Sequence, residues 1–247
     1  MMKVAIFGDC HTARVWEHHN FDDSKYTLRM WGRAGTWSYG LDLKEKSLEN
    51  MDNCSHEQGD PKCSLSSGVE VAGQKIMLSK MNEGWNPKVS FKEVEESDLI
   101  MPWIGYIDIR QYLPVHQNAD EVAKIVVDKF IKFFPDKKIR FIEPLPQFTE
   151  MLLKYEGIHP SYTYEERLEQ NKLYIEGLRK YSKEAGFMEP VSQQDIYRVT
   201  GRNEFTTDMT HNRAPHPVDG LKDEYHAKIY ELFRDEIEKT ISYYHLS

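Results

Sequence analysis

Apolar residues fall in short bursts along the first half of the chain and at helical spacing along the second. Residues 3–8, KVAIFG, make a brief apolar run that stops at Gly8-Asp9, and residues 24–31, SKYTLRMW, make another. Both read as β-strands. In DLIMPWIGYIDIR the stretch from Leu99 to Trp103 is apolar throughout, as in a buried strand, and Gly105 breaks it. KKIRFIEPLP is a further strand, ended by Pro144 and Pro146. DEVAKIVVDKFIKFF repeats its apolar residues at helical spacing with Asp120 placed to cap. YTYEERLEQNKLYIEGLRKYSKEAG is a long amphipathic helix stopped at Gly186; a polar stretch follows it, and a last helix spans roughly 221–244 with Asp219 as N-cap. Between 44 and 90 the pattern fails: DNCSHEQGDPKCSLSSG has no period, while VEVAGQKIMLSKM reads as two short strands around Ala72-Gly73. Strands alternating with helices predict an α/β class with a mainly parallel sheet. We therefore read 1–247 as a single domain, with 44–90 an insertion or lid after the second strand.

Composition narrows the functional classes. At 247 residues the chain is long enough for one sizeable core with an inserted subdomain. A net charge of -8 argues against a nucleic-acid or membrane-surface partner, either of which calls for a basic face. No apolar run approaches the roughly 20 residues of a membrane span. The opening MMKVAIFGD lacks the long apolar core of a secretion signal, so a cytoplasmic location is expected. Cys10 stands alone; Cys54 and Cys63 can pair, but one pair in a chain this size is no disulfide scaffold. Cys54, His56 and Cys63 lack the paired C-x-x-C spacing of strong zinc sites, and neither a metal nor a cofactor is expected.

In parallel sheets ligands bind outside the carboxyl ends of the strands. Four polar segments fall at or after such ends: 8–12, 32–40, 105–112 and 206–219. Cys10 lies on the first of them, either as a nucleophile held on a sharp turn or as a small buried residue behind it.

In order, the four segments read Gly8-Asp9-Cys10, Arg33-Ala34-Gly35-Thr36, Gly105-Tyr106-Ile107-Asp108-Ile109-Arg110, and a block within DMTHNRAPHPVDGLKDEYH before the last helix. This set resembles the SGNH (GDSL-like) hydrolase superfamily over most of the chain except the insertion. The resemblance implies a flavodoxin-like three-layer α/β/α sandwich and acyl transfer at the strand tips. Cys10 would be the nucleophile and a histidine its base, oriented by an acid. The turn's backbone N–H, the Gly35 N–H and a side-chain donor would hold the oxyanion, each donor worth about 3–4 kcal/mol in well-studied cases.

The chain departs from the family pattern in three places. Cys10 replaces serine. Tyr106 stands where the family has asparagine; its O–H can donate to an oxyanion, whereas ionised Asp108 only accepts, and Asp108 with Arg110 reads better as an ion pair shaping the turn. In the fourth block Asp208-Met209-Thr210-His211 fits Asp-x-x-His literally, while His216-Pro217 lies nearer the helix. A third register puts Lys222 where histidine belongs, and a lysine near its ordinary pKa of about 10.4 is no base at neutral pH. His11 adjoins the nucleophile and is placed to line the pocket. Trp31, Trp37, Tyr39, Trp103 and Tyr106 lie near the rim, as faces for a sugar ring or as plain core.

Two functions compete. One is an ester hydrolase acting on a small-molecule or carbohydrate ester, such as an O-acetyl group. The other is a catalytically degenerate member of the fold that binds glycans or serves in assembly. A nucleotide binder fits worst, because the first turn has one glycine and not the G-x-G-x-x-G set.

Overall fold

The computed structural model describes residues 1–8, 21–22, 26–32, 69–71, 74–76, 96–105, 118–145, 164–203 and 223–246. Seven strands and four helices lie within them: β1 (Met2–Gly8), β2 (Phe21–Asp22), β3 (Tyr26–Gly32), β4 (Val69–Val71), β5 (Gln74–Ile76), β6 (Leu99–Trp103), α1 (Ala119–Phe133), β7 (Lys138–Ile139), α2 (Tyr164–Glu184), α3 (Gln193–Thr200) and α4 (Asp223–Tyr244).

The main sheet has the order β2-β3-β1-β6-β7. β1 pairs in parallel with both β3 and β6, and β6 in parallel with β7. Backbone hydrogen bonds carry the β6–β7 pairing past Ile139: Arg140 N–H reaches Ile100 O at 3.0 Å and Ile142 N–H reaches Pro102 O at 2.8 Å. A parallel bridge between Ile142 and Val191 adds a fifth parallel position beyond β7. With that bridge, the parallel order is 2-1-3-4-5, the doubly wound order of flavodoxin-like folds. The sequence reading missed the antiparallel edge strand β2, which is two residues long, and the fifth parallel position at Val191. The two short strands expected around Ala72-Gly73 are present as β4 and β5, a two-stranded antiparallel sheet of their own.

Alternation along each strand sorts side chains to two faces. Met2, Val4, Ile6, Leu28, Leu99, Met101 and Trp103 share one core with Ile196 and Tyr197 of α3 and Tyr225, Ile229, Phe233 and Ile237 of α4. On the opposite face Phe130 of α1 stacks edge-on against Phe141, with ring centroids 5.2 Å apart. Helices thus cover both faces, giving the expected three-layer α/β/α sandwich.

Two sequence readings of the helices are corrected. Asn118, not Asp120, caps α1: its side chain accepts the Glu121 N–H at 3.2 Å. Asp120 lies two residues further on, within the first turn, and accepts the Tyr181 O–H at 2.7 Å. The polar stretch after Gly186 contains α3, capped by Ser192, whose hydroxyl accepts the Gln194 N–H at 3.2 Å. The N-cap proposed at Asp219 lies outside the described residues.

Candidate active site at the carboxyl edge of the sheet

The parallel register aligns the strand ends. Gly8 is opposite Gly32 on one side and Trp103 on the other, so β1, β3 and β6 finish at one level. In sequence, the first three polar segments begin at Gly8, Gly32 and Gly105, at or just past the ends of these strands. α4 runs opposite to β6 and β7: Phe233 packs at the end of β6, against Trp103, while Tyr244 donates to Ile139 O at the start of β7, 2.9 Å away. The fourth block precedes this helix in the chain.

Gly105 opens the third block with φ +117°, a conformation that side chains other than glycine's rarely adopt. Space demands glycine as well. A Cβ there would meet Tyr174 Cε1 of α2 at 2.8 Å and Pro144 Cγ at 3.0 Å. Tyr174 is fully buried. The chain after α2 returns to the sheet at Val191, which bridges Ile142 in parallel. Tyr174 lies ten residues into α2, about 15 Å from its first residue, Tyr164.

Beside this turn lies a buried acid that sequence reading did not single out. Glu143, at the end of the strand that β7 begins, is 0% exposed. One carboxylate oxygen takes the Arg179 Nε–H of α2 at 2.6 Å, and the other takes the Gln193 N–H at the start of α3 at 2.9 Å. Its backbone oxygen accepts the Trp103 indole N–H at 3.2 Å. Burial pushes the Glu143 carboxyl above the ordinary carboxylate value, against the opposing pull of Arg179, the Gln193 N–H and Ser192. Arg179 moves up as well, because its ionised form is held by Glu143. The signal available in the sequence was an acid between Ile142 and Pro144, inside an otherwise apolar strand end.

Of the proposed site residues, Cys10, His11, Gly35, Tyr106, Asp108, Arg110, Asp208, His211 and His216 all lie outside the described residues, as do Lys222, Trp37, Tyr39, Cys54, His56 and Cys63. Trp103 is described, and of its two readings the structure bears out plain core. It is 2% exposed and stacks edge-on against Phe233, with centroids 5.1 Å apart, as part of the core. Among the described residues no group of three His, Cys, Asp or Glu side chains is placed to hold a metal ion, and no helix is long and apolar enough to cross a membrane.

No protein-family model matches the chain, and no curated protein matches its sequence. Solved structures match its fold. A GDSL-like lipase from Bacteroides thetaiotaomicron superposes with a TM-score of 0.53 at 15% identity, over 96% of this chain and 88% of its own. A "putative acylhydrolase" from Bacteroides fragilis gives 0.52 at 16% identity, over 97% and 88%. A protein from Lactobacillus plantarum gives 0.50 at 11% identity, over 96% and 97%. The chain therefore has the α/β fold of GDSL-like lipases.

Proposed function

We propose that the chain is an ester hydrolase of the SGNH type. The observation that carries this reading is the register of Gly8 with Gly32 and Trp103, which ends at one level the three strands that precede these blocks in sequence. The likeness in fold to a GDSL-like lipase supports it. In this reading His211, oriented by Asp208, takes the proton of the Cys10 thiol, and the sulfur attacks the ester carbonyl carbon. His216 is the alternative base. The negative charge on the carbonyl oxygen is met by backbone N–H groups at the Cys10 turn and at Gly35, and by the Tyr106 hydroxyl. When the tetrahedral intermediate collapses, the C–O bond breaks and the alcohol leaves with the imidazolium proton. Water, activated by the same imidazole, then cleaves the thioester to release the acid and restore the thiol. His11 lines the pocket, the Asp108–Arg110 pair shapes the third turn, and the substrate is an ester such as an O-acetyl group on a carbohydrate.

Purified protein is expected to hydrolyse p-nitrophenyl acetate, with Cys10→Ala lowering the rate to that of buffer. Turnover unchanged in Cys10→Ala removes Cys10 from the chemistry. A second reading, a binding or assembly module that has lost catalysis, is favoured by Cys10, Tyr106 and Lys222 at positions where the family pattern has Ser, Asn and His. Alkylation separates the two. A catalytic Cys10 reacts with iodoacetamide faster than a free thiol at pH 6–7, and a structural one resists.

A further inference from the structure

Resting on the hydrolase reading, we propose that the Glu143–Arg179 pair is a positioning device that holds the backbone at Gly105, which in that reading leads into the oxyanion donor. Pro144 of the strand and Tyr174 of the helix close on the same point beside Gly105, where a Cβ would stand. Glu143 governs both. Its own backbone precedes Pro144 and accepts the Trp103 indole N–H, two residues before Gly105. Its carboxylate fastens α2 through Arg179, five residues past Tyr174, and α3 through the Gln193 N–H. One buried side chain therefore fixes the distance between the two jaws.

Glu143 is fully enclosed, while Arg179 is 41% exposed. A buried ion pair is a poor device for stability alone, since a well-packed apolar pair of similar volume often does as well or better. It does impose one geometry, because the carboxylate must meet the Arg179 Nε–H and the Gln193 N–H together. In the hydrolase reading the next residue in sequence, Tyr106, acts on charge that exists only in the transition state. Loosening the grip is therefore expected to lower kcat and leave KM alone.

The test uses Glu143→Gln, Arg179→Met, their double variant and Arg179→Lys in the full chain. It measures p-nitrophenyl acetate kinetics per reactive thiol, the thermal midpoint, and the Gly105 amide resonance. Each of Glu143→Gln and Arg179→Met is expected to lower kcat about tenfold or more with KM within about twofold. The double variant should cost no more than the worse single, because the two side chains act as one unit. Arg179→Lys should recover part of the loss, and the Gly105 resonance should move in both damaging single variants. A lowered midpoint with wild-type kcat and an unmoved Gly105 resonance would make the pair merely structural and overturn the inference. Should the wild-type protein hydrolyse no ester, the functional reading fails, and the Gly105 resonance alone decides whether the pair holds the turn. If Glu143→Gln does not fold, Arg179→Met, which alters a half-exposed side chain, carries the same readouts.

Discussion

Gly105 shows how one residue can be required twice over. Its φ of +117° excludes a side chain on conformational grounds, and the 2.8 Å approach to Tyr174 excludes one on steric grounds. Tyr174 cannot yield easily, being fully buried in α2. Gly105→Ala thus adds backbone strain to overpacking, each of order 1–3 kcal/mol. We expect a fall of about 2–4 kcal/mol in urea unfolding stability with an unchanged m-value. Stability within about 0.5 kcal/mol of wild type would mean that the turn relaxes freely, and the grip by Pro144 and Tyr174 would lose its meaning. The glycine itself was legible in the sequence as the breaker of an apolar strand. The partners that enforce it, Pro144 and Tyr174, were not, because they come from segments 39 and 69 residues away that only the tertiary fold brings together.

At the scale of elements, α1 and α2 meet at Gly177. A Cβ there would lie 2.9 Å from the Ala123 Cβ and within 3.3 Å of the Asp120 backbone. Tyr181 and Lys180 both reach Asp120 from the next turn, so the contact is also pinned by polar groups. Alanine in place of a mid-helix glycine ordinarily gains about 1 kcal/mol of helix propensity. Here the new methyl meets one fixed to another backbone, and the helices must part. Gly177→Ala is expected to destabilise by about 1–2 kcal/mol net, and Ala123→Gly combined with it to recover part of that loss. A stabilised Gly177→Ala variant in chemical denaturation would show that the helices separate at no cost. Periodicity identified both helices and the main strands, since amphipathic spacing and apolar runs survive in the sequence alone. It missed α3, whose opening Gln193-Gln194-Asp195 is polar and whose buried residues, Ile196, Tyr197 and Thr200, are too few to set a period. The clue was local: a Ser192 cap followed three residues later by an acid. As for the candidate site, the sequence marked Gly8 and Gly105 as the residues that follow their strands, and the structure puts Gly8 level with the ends of β3 and β6, while Gly35 lies outside the described residues. It did not reveal Glu143, because a carboxylate's burial depends on a partner 36 residues away.

Across the whole molecule, α4 closes the fold by returning the C-terminal part of the chain to the middle of the sheet. Its apolar stripe covers β1, β3 and β6, and one buried charge pair locks it to β7. Arg140 is 5% exposed and pairs with Glu236 at 2.8 Å, 96 residues further on. The guanidinium also donates to Glu189 O at 2.8 Å, Glu236 O at 3.1 Å and the Thr240 hydroxyl at 2.9 Å. Lys239 meets the other Glu236 oxygen from the surface. The guanidinium is thus hydrogen-bonded at three of its nitrogens, the condition under which a buried ion pair recovers its desolvation cost. Arg140→Met leaves the Glu236 carboxylate enclosed with Lys239 as its remaining cation, and the expected loss is about 3–5 kcal/mol. For a chain of this size that is a fall of roughly 10 °C in the thermal midpoint. Arg140→Met with Glu236→Leu removes both charges and should recover most of the loss. If the double variant stays as unstable as the single, the pair's own attraction, and not the cost of orphaning Glu236, is what fastens the last helix to the sheet.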